Sequence, residues 1–222
     1  MTIGKIYSYF DKIGCLTFST IAGNYPYSRI AHFNGWDSEG FYFRTMIVKS
    51  FYRQLIYGKT LSVCGMYPDT KVRYDEEGHA FFKPGYSITM TGDVKKMEKE
   101  EVIKKAELNP MFNTAVLDIE EYPGTTVFCI YRAKGEIYDF DFEHENRQQK
   151  IIRTGFNFGG MDPISGGLKI TDRCNACGKC YEVCTFDAIR KGSPYSIIPE
   201  KCDLCGSCLL ACPAKAIERS MV

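Results

Sequence analysis

Apolar residues recur over the first thirteen positions at intervals of three and four: Ile3, Ile6, Tyr7, Phe10 and Ile13. Because a helix turns once every 3.6 residues, that spacing gathers them on one stripe and predicts a short amphipathic helix. From Cys15 onward the period changes to two. Stretches 15–20, 27–34, 40–46, 61–66, 86–94 and 125–133 alternate as strands do, and Asn24, Pro26, Gly35, Asp37, Gly40, Pro84 and Gly85 break them with turn chemistry. Two helices are expected to interrupt this series. One opens after Lys49 and buries Phe51, Leu55 and Ile56; the other covers 95–108 and is so charged that most of it faces water. Many short strands with brief helices predict an antiparallel barrel, a mainly β fold with a small α+β addition.

The addition lies beyond residue 169, where the chain repeats itself. Ile170-Thr171-Asp172-Arg173 is answered by Ile198-Pro199-Glu200-Lys201, and Ala188-Ile189 by Ala216-Ile217. Each half reads as strand, loop, short helix, strand. Between barrel and repeat, 143–168 begins with a charged run and continues with Gly155, Gly159, Gly160, Pro163, Gly166 and Gly167, the composition of a linker, although Phe156 and Phe158 predict that part of it docks. The expected organisation is therefore 1–142, a linker over 143–168, and 169–222.

Composition narrows the functional classes. Apolar residues at 45% and aromatics at 14% predict folded chain throughout its 222 residues. A net charge of +1 supplies no global field for nucleic acid or anionic lipid. No apolar run reaches the ~20 residues of a membrane-spanning helix, and the start has no secretory apolar region, so a cytoplasmic protein without nucleic-acid or membrane partners is expected.

Eight of the eleven cysteines carry the strongest chemical signal. Cys174, Cys177, Cys180 and Cys184, then Cys202, Cys205, Cys208 and Cys212, both follow C-x2-C-x2-C-x3-C. Three thiolates in a short loop grip three corners of an iron–sulfur cubane, and the fourth cysteine of such a run serves the other cluster. The ligand sets are thus expected crosswise: Cys174, Cys177, Cys180 and Cys212 for one, and Cys202, Cys205, Cys208 and Cys184 for the other. Zinc sites pair one C-x2-C with a second pair across a longer loop, and disulfides need an oxidising compartment, so both fit this spacing poorly. Gly178 and Gly206 fall inside the loops, where backbone N–H groups can turn toward sulfur. Over its last quarter the chain resembles a bacterial two-cluster 4Fe-4S ferredoxin. Pro213 follows Cys212 as that family's pattern has it, whereas Thr185 stands after Cys184 where proline is usual. Cys15, Cys64 and Cys129 lie apart in strand-like surroundings and are expected to be small buried hydrophobes.

A second resemblance rests on Tyr27-Ser28-Arg29-Ile30-Ala31-His32-Phe33-Asn34, Gly40-Phe41-Tyr42-Phe43-Arg44-Thr45 and Lys49-Ser50-Phe51-Tyr52-Arg53-Gln54-Leu55. In this order the segments are similar to the FMN-binding split barrel of the pyridoxamine 5'-phosphate oxidase-like family. The resemblance implies that Arg29, Thr45 and Lys49 hold the flavin phosphate, that the backbone of Ile30, Ala31 and His32 runs along the flavin, and that Arg44 and Ser50 add contacts. It also implies a homodimer with FMN at the subunit interface. Met46, Ile47 and Val48 depart from the pattern, which often has polar groups there.

Two cofactors of this kind, FMN and a pair of 4Fe-4S clusters, imply an oxidoreductase. It would exchange electron pairs with a small-molecule donor or acceptor and single electrons with a protein partner. The other readings are a ferredoxin-like carrier whose barrel only dimerises, and a pyridoxamine-phosphate-type oxidase. No acid or base stands out, His32, His79 and His144 form no constellation in the sequence, Trp36 reads as packing, and no dinucleotide glycine fingerprint is present.

Overall fold

A computed structural model describes residues 1–68, 72–81, 83–141, 151–163 and 167–220. The chain divides into two compact units, one comprising Met1–Asp69, Ser87–Glu136 and Phe156–Pro163, the other Thr70–Tyr86, Ile137–Gly155 and Ile164–Val222.

The first unit opens with α1 (Ile3–Ile13), which buries Ile6, Tyr7 and Phe10 as the three-and-four spacing requires. Thr2 caps it by accepting from the Lys5 N–H at 3.3 Å, and Gly14, at φ +77°, ends it by donating to the Phe10 carbonyl. The strands that follow are β1 (Leu16–Ala22), β2 (Tyr25–Ala31), β3 (Gly35–Trp36) and β4 (Phe41–Met46). Next come α2 (Ser50–Gly58) and β5 (Thr60–Tyr67), then the short pair β6 (Arg73–Tyr74) and β7 (Ala80–Phe81), which belongs to the second unit, and then β8 (Tyr86–Lys96). Then α3 (Lys99–Leu108), α4 (Asn113–Glu121), β9 (Thr125–Asp139) and β10 (Ile152–Phe158) complete the series.

Eight of these strands form one sheet, ordered β2-β1-β5-β8-β9-β4-β3, with β10 also on β9. The β1–β2, β1–β5, β3–β4 and β4–β9 pairs are antiparallel. No pairing among the described residues joins β2 to β3, so the sheet has open ends, as a split barrel does. One face is packed with rings: Phe18 contacts Phe33, Phe43 and Phe51, with centroids 5.1 to 6.4 Å apart, and Phe43 stacks on Phe128. Each fully buried ring contributes about 2–3 kcal/mol relative to leaving it in water. The opposite face of β4 belongs to another cluster, in which Tyr42, Val127 and Cys129 meet Met97, Val102, Phe112, Ala115 and Ile119.

Five expectations need correction. The helix expected over 95–108 starts only at Lys99, because β8 continues to Lys96 and the Glu98 N–H finds its partner in the Glu101 carboxylate. α4 was not anticipated; its nine residues bury only Ala115 and Ile119, too few positions to show a period. Ile56 of α2 is only half-buried, and Gln54 takes the buried place instead. Cys15 is exposed and Cys64 half-buried, whereas Cys129 alone of the three is fully buried. Residues 152–158, inside the stretch expected to link the domains, form β10, with Phe156 and Phe158 buried. The Phe156 ring occupies the space where a Cβ at Gly135 would fall. Residues 143–150 and 164–166 of that stretch, with His144, lie outside the described residues.

In the second unit the repeat is realised as β11 (Gly167–Ile170), α5 (Lys179–Glu182) and β12 (Ile189–Arg190), then β13 (Ser196–Ile197), α6 (Ser207–Ala211) and β14 (Ile217–Ser220). β11 pairs with β14 and β12 with β13, both antiparallel. The first strand of the repeat thus lies beside the last.

Candidate functional site

That strand pairing decides which cysteines meet. β14 follows Cys212 and lies against β11, which leads into the Cys174 loop; the Thr171 N–H donates to the Ala216 carbonyl at 2.8 Å across this seam. β12 follows Cys184 and pairs with β13, which leads into the Cys202 loop. Here the donor is Ile198, to Ala188 O at 2.8 Å, because Pro199 at the position matching Thr171 has no N–H to give. Each run therefore delivers its fourth cysteine to the other. Cys174, Cys177, Cys180 and Cys212 line one cavity, closed by Ile170, Tyr195 and Ile217. Cys184, Cys202, Cys205 and Cys208 line a second, closed by Leu168, Phe186 and Ile189.

The loops aim backbone donors at sulfur. Ala176, Gly178 and Asp187 in the first half, and Leu204, Gly206 and Lys215 in the second, occupy the left-handed region, with φ from 48 to 82°. The six positions correspond pair by pair in the repeat. For the four that are not glycine the conformation costs about 1–2 kcal/mol each, so the fold holds them there against local preference. What it gains is visible: the N–H groups of Ala176, Ala188 and Ala216 donate to the sulfurs of Cys174, Cys184 and Cys212 at 3.4, 3.3 and 3.3 Å. Such concave runs of N–H groups suit an anion. Sequence reasoning found the glycines but missed Ala176, Leu204, Asp187 and Lys215, whose only signal is their matching place in the two halves.

Burial pushes the Cys208 thiol up to about 11, with Cys202 and Cys184 adding to it, and also raises Cys180 and Cys202. Four such thiols become thiolates only with cationic charge among them. Soft sulfur donors in fours, apolar walls and N–H groups directed at sulfur fit a 4Fe-4S cubane in each cavity.

The residues implied for a flavin are spread over three elements. Arg29 on β2 donates from Nη1 to Thr20 Oγ1 at 2.8 Å and from Nη2 to Gln54 Oε1 at 2.7 Å, and its guanidinium lies 4.1 Å from the centre of the Phe51 ring. Lys49 caps α2 and is exposed, as is Ser50. Ser50 and Gln54 line a cavity of about 550 Å³ with Ile21, Gly23, Arg53 and Tyr57. Thr45 is buried on β4, on the face opposite Arg44. Arg44 is not brought to this group. It sits on the Tyr42 side of β4, paired with Asp118 of α4 at 2.5 Å, with Nη1 buried and without a hydrogen-bond partner. Ile30 and His32 are exposed and Ala31 half-buried. Arg53, which sequence reasoning did not select, faces the cavity one helical turn after Lys49. Elsewhere, Asp75, Glu77 and His79 converge on an exposed turn, where Asp75 already accepts from the His79 backbone N–H at 2.7 Å.

Among the described residues no helix is long and apolar enough to cross a membrane. Compared with known proteins, residues 168–190 and 195–218 match the 4Fe-4S binding domain. No curated protein matches the chain. Among solved structures it is similar to a NimC/NimA family protein from Clostridium acetobutylicum (16% identity, 70% of this chain and 93% of that one, TM-score 0.49). It is also similar to PhzG from Burkholderia lata in complex with tetrahydrophenazine-1-carboxylic acid (13%, 72% and 84%, 0.45). A third is a pyridoxamine 5'-phosphate oxidase-related, FMN-binding protein from Nostoc punctiforme (14%, 70% and 96%, 0.41).

Proposed function

We propose that this protein is an FMN- and iron–sulfur-dependent oxidoreductase that relays electrons between a small-molecule partner at the flavin and a protein partner through two 4Fe-4S clusters. The observation that carries the electron-transfer part is the pair of four-thiol cavities, each completed by a cysteine from the opposite half of the repeat. When bound, each cubane supplies one-electron chemistry and a flavin two-electron chemistry, which makes the pair a converter between the two. Cys180 and Cys208, buried at the starts of α5 and α6, would each hold a cubane, and the amides of Ala176, Ala188 and Ala216, which donate to cysteine sulfurs, would stabilise its charge.

For the flavin, the reading rests on the sequence resemblance and on the cavity at the start of α2. Lys49, Ser50 and Arg53 offer two cations and a hydroxyl beside the N–H groups of a nine-residue helix, a setting that favours a phosphate. Arg29, braced by Thr20 and Gln54, would hold the wall behind them. The cavity rim is apolar and open: Ile21 is 70% and Tyr57 83% exposed, and Tyr25 of the edge strand β2 is 70% exposed. A second copy of the chain placed over this rim would cover both the apolar surface and the flavin. One observation favours the flavin-free carrier instead: Arg29 and Arg44 both have protein partners already. The experiment that separates the two is anaerobic purification with flavin quantified, followed by stopped-flow reduction with a panel of donors. The proposal expects FMN in the preparation and a donor that bleaches it before the broad iron–sulfur absorbance; flavin-free protein whose clusters reduce normally would overturn the FMN part.

A further inference from the structure

The two halves of the repeat share a backbone but not a neighbourhood. Asn175, after the first cysteine of the first run, lines one cavity; its counterpart Asp203 lines the other. Two side chains from earlier in the chain reach the second loop. The Tyr138 hydroxyl donates to Asp203 Oδ1 at 2.7 Å, and Arg153 Nη1 donates to the Cys202 carbonyl at 3.3 Å, both in partly buried surroundings. Among the described residues neither bond has a counterpart at Cys174 or Asn175. A cluster becomes more negative by one charge on reduction. A carboxylate at its edge therefore opposes reduction, and a guanidinium or a hydroxyl donor that draws off the carboxylate's charge assists it. Partial burial leaves these fields only weakly screened by salt.

We propose that Tyr138, Arg153 and Asp203 set the reduction potential of the cluster held by Cys184, Cys202, Cys205 and Cys208 independently of its twin. Asp203 holds the potential down, while Tyr138 and Arg153 hold it up. The inference rests on the iron–sulfur reading above and not on the flavin. It makes the two cubanes inequivalent although their ligand loops repeat, so that an electron shared between them has a preferred side that three residues outside the ligand set determine.

The signs of three substitutions test this. Asp203→Asn keeps the shape and the acceptor for Tyr138 but removes the charge, and should raise the potential of one cluster. Tyr138→Phe and Arg153→Gln should each lower that same potential, the glutamine keeping a donor for the Cys202 carbonyl. In EPR-monitored redox titrations of the anaerobically prepared full chain, each change should alter the partition of an electron between the clusters by about threefold or more, or about 30 mV for a one-electron couple. One signal should move while the other stays. A merely structural role would not give opposite signs. The inference is overturned if all three shift in one direction, if none shifts, or if both signals move together. Absence of any cluster signal from the unsubstituted protein would overturn the iron–sulfur reading itself.

Discussion

Replacing cysteines in pairs distinguishes crossed from sequential ligation. In the structure Cys174 and Cys212 line the same cavity, whereas Cys174 and Cys184, members of the same run, line different ones. The double variant Cys174→Ala/Cys212→Ala should therefore lose one cubane and keep the other, about four of eight irons. Cys174→Ala/Cys184→Ala damages both cavities and should lose nearly all. Stability follows the same logic. A cubane tying Cys174 to Cys212 closes a loop of roughly 40 residues, which on chain-entropy grounds restrains the unfolded state by about 4 kcal/mol. The tie between Cys184 and the second run closes roughly 20 residues, or about 3 kcal/mol. The apolar core of the repeat is small: among the described residues its buried side chains are Ala188, Ile189, Ala216 and Ile217 beside Cys180 and Cys208. With one tie left the repeat should stay folded at reduced stability; with none it should be open to protease. Iron and acid-labile sulfide assays on anaerobic preparations, with limited trypsinolysis, read both effects. If the first variant loses all its iron and the second keeps half, the ligands run in sequence and the strand-pairing argument fails.

Other expectations concern the barrel unit. Phe43→Ala removes a fully buried ring between Phe18, Phe51 and Phe128 and should cost about 3–5 kcal/mol in urea unfolding; a loss below 1 kcal/mol would mean the ring cluster is not the core. Gln54→Leu leaves Thr20 and Arg29 without their shared acceptor and should destabilise by about 1–3 kcal/mol, which a midpoint unchanged in the same assay would contradict. Burial acts to raise the Asp37 carboxyl, but Lys105 at 2.7 Å, the Glu39 N–H and the Tyr42 hydroxyl together hold it below its ordinary value. A depressed carboxylate adds stability that is complete above the unfolded value, about 3.9, and is lost as pH falls through the folded one. Lys105→Met should therefore cost about 1 kcal/mol near neutrality, allowing for solvent screening, and should flatten the acid limb of the stability profile; parallel profiles for the two proteins would refute this.

The chain shows its chemistry and its fold with unequal clarity. The cysteine runs are legible because cluster ligation is local: three sulfurs within seven residues can be read without knowing the fold. Alternation marked β1, β5 and β8 because one face of each is buried while the other is more open, whereas β4 buries Phe41, Tyr42 and Phe43 in succession and was read from its apolar run between turn residues. β10 was hidden by its setting, since glycine at 155, 159 and 160 resembles a linker unless one knows that Gly135 leaves room for Phe156. The flavin residues were the least legible. Thr45 and Arg44 are neighbours in sequence, yet one enters the β4 face that packs inward and the other faces α4, an element whose nine residues show too little periodicity to predict. Arg53 and Gln54 matter only because a helical turn brings them beside Ser50 and, through Gln54, to Arg29.

The most direct test of the central claim is the metal itself. Protein purified without oxygen should contain about eight irons and eight acid-labile sulfides per chain, and dithionite should produce an EPR spectrum of two interacting reduced clusters. Zinc at one ion per four thiols, or a silent spectrum from fully reduced protein, would contradict it.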